Sequence, residues 1–205
     1  MVKVKICGIT NLQDGLSAVG SGCDALGFVF FRESKRYVSE AKARRIIAKL
    51  PAKIIKVGVF VNAREDRIRR IARSCRLDML QFHGKETPQF CARFKGYKVI
   101  KALGVRGKID FAAAARYKTS ACLFDNVSGS AMGGTGRKFN WRLLSGCRRL
   151  IKRPLFLSGG LSSGNVRQAI NIVRPEWVDV SSAVESAPGR KDPAKVRKFI
   201  RMVKS

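Results

Sequence analysis

Val2-Lys3-Val4-Lys5-Ile6-Cys7-Gly8-Ile9-Thr10 is an apolar run of strand length that stops at a cysteine and a glycine. The same unit, an apolar run closed by a polar or glycine-containing segment, recurs along the chain. Further runs lie at Ala25 to Phe30, Ile54 to Val61, Met79 to Phe82, Val99 to Ala102, Ala121 to Asp125, Pro154 to Ser158 and Trp177 to Ser181, which makes eight in all. Between most of them the period changes to that of a helix, with apolar residues at i, i+3, i+4 and i+7. Ala43, Ile46, Ile47 and Leu50 follow this spacing after the second run, Ile68, Ile71, Ala72 and Cys75 after the third, and Val196, Phe199, Ile200 and Val203 after the eighth. Several runs are apolar on nearly every residue, as expected of strands covered on both faces, and strand-helix alternation implies parallel order.

That alternation permits either an open doubly wound sheet or a closed barrel. An open sheet gathers its ligand at one switch point, whereas here glycine, acidic and serine-rich segments follow runs one, six, seven and eight. This distribution favours an α/β chain folded as a single compact (β/α)8 TIM barrel, with residues 1–205 forming one domain. No stretch is rich enough in Pro, Gly and Ser to read as a linker.

Charge sets a rival reading. Lys and Arg number 42 against 14 Asp and Glu, a formal +28, which predicts nonspecific attraction to polyanions at low salt. The charges fall mainly on helix-like segments, Lys42-Ala43-Arg44-Arg45, Arg67-Ile68-Arg69-Arg70, Arg148-Arg149 and Lys195 to Arg201, as solvated helix faces do. Zinc-finger spacing, the aromatic signature of an RNA-binding sheet and a separate basic tail are all missing, so no specific nucleic-acid partner is expected. No apolar run is long enough to cross a bilayer, and the alternating start does not look secretory. The six cysteines lack close metal-ligand pairing and are expected to be reduced thiols of a cytoplasmic protein.

Chemistry in a barrel sits at the C-terminal strand ends. Cys7 stands at one such end with Gly8 leaving room beside it, although a buried cysteine is often only a small core residue. Asp125 closes an apolar run, where a carboxylate needs a partner or exposure. It either caps the next element or serves the long loop Asn126 to Arg137, which contains Gly133-Gly134-Thr135-Gly136 and can fold over a ligand. Ser158-Gly159-Gly160 and Val180-Ser181-Ser182 end runs seven and eight, where barrels commonly bind phosphate. Turns use the same residues, so order along the chain carries the weight. Arg36 offers a planar fork for a carboxylate, amid many other arginines. His83 is the single histidine and leaves histidine-based metal sites or triads little to work with; its plain role is a hydrogen bond at the barrel mouth.

With these residues in view, the chain resembles the phosphoribosylanthranilate isomerase family of tryptophan biosynthesis almost from end to end. The matching pieces are Lys5-Ile6-Cys7-Gly8-Ile9-Thr10, Gly27-Phe28-Val29-Phe30, Ser34 with Arg36-Tyr37-Val38, Val57-Gly58-Val59-Phe60, Leu80-Gln81-Phe82-His83-Gly84, Asp125 with Gly133-Gly134-Thr135-Gly136, Ser158-Gly159-Gly160-Leu161 and Asp179-Val180-Ser181-Ser182. The resemblance implies an Amadori rearrangement of N-(5-phosphoribosyl)anthranilate without metal or organic cofactor. It implies Cys7 as general base, Asp125 as general acid and Arg36 at the anthranilate carboxylate. His83, Gly134, Thr135, Gly159, Gly160, Ser181 and Ser182 complete the substrate site, the last two loops holding phosphate. An acid and a base acting together predict a bell-shaped pH profile.

Three positions depart from the family pattern: Ala183 replaces a common glycine, Lys35 a common proline and Asn140 a frequent aspartate. A positive φ at residue 183 would loosen phosphate contact, and losing proline before Arg36 leaves that loop less rigid. The isomerase of histidine biosynthesis is the alternative enzyme, but it relies on an aspartate pair, and Cys7 argues against it. A basic nucleic-acid scaffold on an idle barrel is the alternative from another class.

Overall fold

Alternation in the first strand becomes two faces of a closed sheet. In β1 (Lys3–Cys7) the wholly buried Val4 and Ile6 face the helices, while Cys7 and, two residues before it, Lys5 face the barrel interior. The computed structural model describes residues 1–105, 107, 109–126, 140–144 and 151–205. After β1 come α1 (Leu12–Gly20), β2 (Ala25–Val29), α2 (Glu40–Ile47), β3 (Ile55–Phe60), α3 (Glu65–Ser74), β4 (Met79–Phe82), α4 (Pro88–Ala92), β5 (Lys98–Val105), α5 (Phe111–Ala115) and β6 (Ala121–Asn126). A 3₁₀ turn (Trp141–Leu144), β7 (Leu155–Leu157), α6 (Val166–Val173) and β8 (Trp177–Val180) follow, then a second 3₁₀ turn (Ser182–Val184), a short ribbon of β9 (Glu185–Ala187) and β10 (Arg190–Lys191), and α7 (Pro193–Lys204).

Strands β1 to β8 pair in chain order, all parallel, and β8 returns to β1 to close the barrel. Closure, which periodicity alone left open, excludes the open sheet. Helix starts follow their side chains: Asn11, Ser39, Thr87, Asp110 and Asp192 each accept a backbone N–H at the head of α1, α2, α4, α5 and α7. Pro88 and Pro193 stand in the first turn, where no intrahelical N–H is lost.

The core has two layers. Outside the sheet, Leu26, Phe28, Phe60, Leu80, Phe82 and Phe124 pack against the apolar stripes of the helices, including Ile46, Ile68, Ile71, Phe199 and Val203. Inside, Ala25, Val57, Met79, Ile100, Ala121, Leu123, Phe156 and Trp177 fill the lower barrel, with Phe156 stacked on Trp177 at 4.7 Å. These interior residues come mostly from the first halves of their strands, so the plug separates the C-terminal mouth from a cavity at the opposite end of the barrel, lined by Met79, Phe156 and Trp177 among others. The strands keep their expected centres. The fifth runs on to Val105, and α2 ends at Ile47, so that the buried Leu50 packs from the turn beyond it.

Candidate active site

The open mouth is a pocket lined by residues of seven strands or the loops that follow them, Cys7, Arg36, His83, Asp125, Gly160 and Ser181 among them. Cys7 sits at the tip of β1, 8% exposed. Its sulfur fits only because β2 carries Gly27 opposite, where a Cβ would lie 2.7 Å from Sγ. Burial pushes the Cys7 thiol above its ordinary range, against the pull of Lys5 and Lys191. Beneath it, Lys5 and Asp179 are register partners across β1 and β8, and Lys5 Nζ donates to Asp179 Oδ1 at 2.8 Å with the lysine fully buried. Burial alone would drive Lys5 down, yet Asp179 and Cys7 hold it above its usual value.

Asp125 is the next-to-last residue of β6, at 7% exposure. Its Oδ1 accepts the Asn126 N–H at 2.8 Å, and Oδ2 lies 3.3 Å from His83 Nε2. Gly159 closes over the carboxylate with φ +82°, and a Cβ there would fall 2.6 Å from Asn126 N and 3.0 Å from Asp125 Oδ1. Only glycine combines that backbone conformation with that approach. The next residues of this loop are pinned by the buried Asn165, whose side chain donates to Gly160 O at 2.9 Å and accepts Ser162 N–H at 2.8 Å. Ser181 and Ser182 stand on the adjacent rim, with Ser181 Oγ donating to Cys7 O at 3.0 Å.

Arg36 reaches the same mouth but is not idle. Its Nε and Nη2 donate to Glu185 Oε1 and Oε2 at 2.8 and 2.7 Å, and Lys191 Nζ donates to Glu185 Oε1 at 2.8 Å. Burial would raise the Glu185 carboxyl, but the two cations overcome it and hold the group below its usual range. Of five guanidinium N–H donors two are spent on Glu185, and the others remain for a ligand carboxylate.

The structure thus gathers Cys7, Arg36, His83, Asp125, Gly159, Gly160, Ser181 and Ser182 around one pocket. Gly134 and Thr135 lie outside the described residues, as does Cys147. The other five cysteines are free and buried. Among the described residues no group of three or more His, Cys, Asp or Glu is placed to hold a metal ion, and no helix is long and apolar enough to cross a membrane. Sequence reasoning passed over Lys5, Gln81, Asp179, Glu185 and Lys191. A charge at an inward strand position, as at Lys5 and Asp179, was the available signal, because such a group must find a partner.

The model of the N-(5′phosphoribosyl)anthranilate (PRA) isomerase family matches residues 4–202. The chain belongs to that family. An N-(5′-phosphoribosyl)anthranilate isomerase from Trichlorobacter lovleyi is 48% identical over 100% of this chain and 98% of its own length, and one from Pelobacter propionicus is 50% identical over 100% and 96%. The crystal structure of phosphoribosyl anthranilate isomerase from Thermotoga maritima superposes with TM-score 0.93 at 45% identity, covering 100% of this chain and 99% of that one. A phosphoribosyl anthranilate isomerase in complex with reduced 1-(o-carboxyphenylamino)-1-deoxyribulose 5-phosphate matches at TM-score 0.90 and 44% identity, with the same coverage.

Departures from the family pattern find local explanations. Ala183 lies within the 3₁₀ turn and is not among the positive-φ residues, so no strain arises there. Asn140 Oδ1 accepts the Arg142 N–H at 3.1 Å, a capping contact that aspartate would also make.

Proposed function

We infer that this chain isomerises N-(5′-phosphoribosyl)anthranilate to 1-(2-carboxyphenylamino)-1-deoxyribulose 5-phosphate. The observation that carries the reading is the shared pocket: a thiol from β1 and a carboxyl group from β6 line one cavity, with glycine and serine loops at its rim. The rearrangement needs both groups. A proton from Asp125 goes to the ribose ring oxygen as the C1′–O bond breaks, which leaves a Schiff base between C1′ and the anthranilate nitrogen. Cys7, as thiolate, then takes the proton from C2′, and the electron pair of that C–H bond moves into the C1′–C2′ bond to give an enolamine that ketonises to product.

The remaining residues position the substrate. Arg36, oriented by Glu185, presents its spare donors to the anthranilate carboxylate. Gly159, Gly160, Ser181 and Ser182 take the phosphate between the last two loops, and Gly134 and Thr135, which follow Asp125 in the sequence, complete the substrate site. His83 acts beside Asp125. Because burial favours the neutral Cys7 thiol, the base depends on Lys5 and Lys191, which stabilise the thiolate against that burial. Residues 1–205 act as one barrel domain, in keeping with a family match across nearly the whole chain. The reading places the protein in the cytoplasm with a phosphosugar substrate. Its excess charge attracts polyanions without sequence preference, and neither a specific nucleic acid nor a membrane is a partner.

The test is direct. Purified protein added to phosphoribosylanthranilate should abolish the anthranilate-type fluorescence at a rate proportional to enzyme. No loss with that substrate, or turnover only of the histidine-pathway imidazole substrate, would sink the assignment.

A further inference from the structure

Gln81 projects from β4 into the mouth at 1% exposure, and its amide is only half satisfied. Nε2 lies 2.8 Å from His83 Nδ1, whereas Oε1 is buried with no hydrogen-bond partner among the described residues. A buried carbonyl oxygen left in this way has lost its water without gaining a partner, which asks for an explanation.

Hydrogen bookkeeping supplies one. An amide nitrogen only donates, so His83 Nδ1 must accept, and a neutral imidazole then carries its hydrogen on Nε2. Nε2 lies 3.3 Å from Asp125 Oδ2, an ion-pair contact without hydrogen-bond geometry, while Oδ1 is filled by the Asn126 N–H. In this arrangement the hydrogen-bearing Nε2 faces a carboxylate that carries no hydrogen. Acid catalysis requires the reverse. With a hydrogen on Oδ2 donated to Nε2, the imidazole hydrogen must sit on Nδ1, and whatever faces Nδ1 must accept. A half-turn of the Gln81 amide about its last torsion brings Oε1 to that place and gives the orphan oxygen its partner. The second arrangement holds one more proton than the first: the Nε2–H bond breaks as its proton passes to Asp125 Oδ2, and a proton from solvent water forms the Nδ1–H bond. Asp179, held by Lys5, is the charged group facing this pair from β8.

We propose that Gln81 is a positioning residue whose amide orientation, His83 tautomer and Asp125 hydrogen change together, nitrogen toward Nδ1 going with the carboxylate and oxygen toward Nδ1 with the acid. Gln81 acts through His83.

Because His83 is the single histidine of the chain, imidazole nitrogen NMR on the full-length protein reads the tautomer without assignment. The spectra are recorded well above a pH of about 6.5, where free histidine is neutral. Wild type should show hydrogen on Nε2. Gln81→Met, of similar length but without an amide, should show a mixture of tautomers, and Gln81→Glu, which offers only acceptors, should show hydrogen on Nδ1. Wild type with hydrogen on Nδ1, or both variants keeping the wild-type tautomer, overturns the proposal. The kinetic arm rests on the isomerase reading: Gln81→Met should lower kcat by about tenfold to a hundredfold, as supporting residues typically do, with KM nearly unchanged. An unchanged kcat would also overturn it. The NMR arm needs no turnover, so failure of the relay and failure of the isomerase assignment are told apart.

Discussion

Arg36, in the loop after β2, and Glu185, at the start of β9, form a two-pronged ion pair at 2.8 and 2.7 Å across 149 positions of chain. The carboxylate also takes Lys191 at 2.8 Å, so two cations are anchored by one acid beside Cys7. In a protein with 42 basic residues this contact singles out one guanidinium and fixes its plane before any ligand arrives. Preorganisation of this kind lowers the entropic cost of binding.

Removing the anchor should therefore cost both stability and affinity. Glu185→Ala leaves Lys191, whose side chain is 1% exposed, without its carboxylate, and breaking such a pair costs about 3–5 kcal/mol. KM should rise more than kcat falls. Because the folded Glu185 carboxyl is held below its usual range, its stabilisation is present above the unfolded value of about 4.3 and fades as pH falls through the folded one. Urea unfolding at neutral and acidic pH should show the gap between wild type and variant closing on acidification. Equal midpoints at neutral pH would contradict this account of the cluster.

Cys7 predicts the basic side of the rate profile. Its thiol is pushed above the ordinary value of 9.0, and kcat/KM reports the free enzyme. Since Asp125 must keep a proton while Cys7 loses one, kcat/KM should be bell-shaped, its fall on the basic side setting in only as pH rises past the raised thiol value. Cys7→Ala should lower kcat by about 10²–10⁴ with the fold intact. Near-normal turnover would remove the base.

Gly159→Ala tests the roof over Asp125. A methyl group there has to displace Asn126 N and the carboxylate itself, at a φ that L-residues rarely adopt. We expect a loss of about 1–3 kcal/mol in stability and at least a tenfold drop in kcat from misplacement of the acid. Wild-type kinetics in this variant would mean that the loop does not hold Asp125.

Lys5 and Asp179 should behave as a unit. Lys5→Met alone strands a buried carboxylate and should cost about 3–5 kcal/mol. Combining it with Asp179→Asn should recover much of that loss, a coupling measurable in a double-mutant cycle. Since the folded Lys5 value is raised above 10.5, its contribution is complete below that pH and disappears only as pH rises through the folded value. Additive single and double losses would show that the two side chains act separately.

Surface charge gives a salt prediction. Fluorescent DNA should bind weakly and without sequence preference at low salt and release steeply as salt approaches the physiological range. A tight, salt-resistant complex would revive the scaffold reading.

Much of this architecture was readable in one dimension. Ile68, Ile71 and Ala72 lie on the buried stripe of α3, as their spacing required, and Val196, Phe199, Ile200 and Val203 do the same in α7. Strand-end placement marked Cys7, Asp125 and the two rim loops. The ribbon β9–β10 was not foreseen, because strands of three and two residues leave too short a pattern to read. Gln81 looked like an ordinary member of an apolar run, and its role depends on what faces it.

Periodicities of 2 and 3.6 are local, so the sequence by itself determined which segments are strands, which faces they bury and at which ends polar groups collect. Barrel closure decided the rest: it set Lys5 against Asp179 and Glu185 against Arg36, residues 174 and 149 positions apart. The physical reason is that a side chain's charge and hydrogens are governed by neighbours within a few ångströms, and those neighbours exist only once the eighth strand has paired with the first.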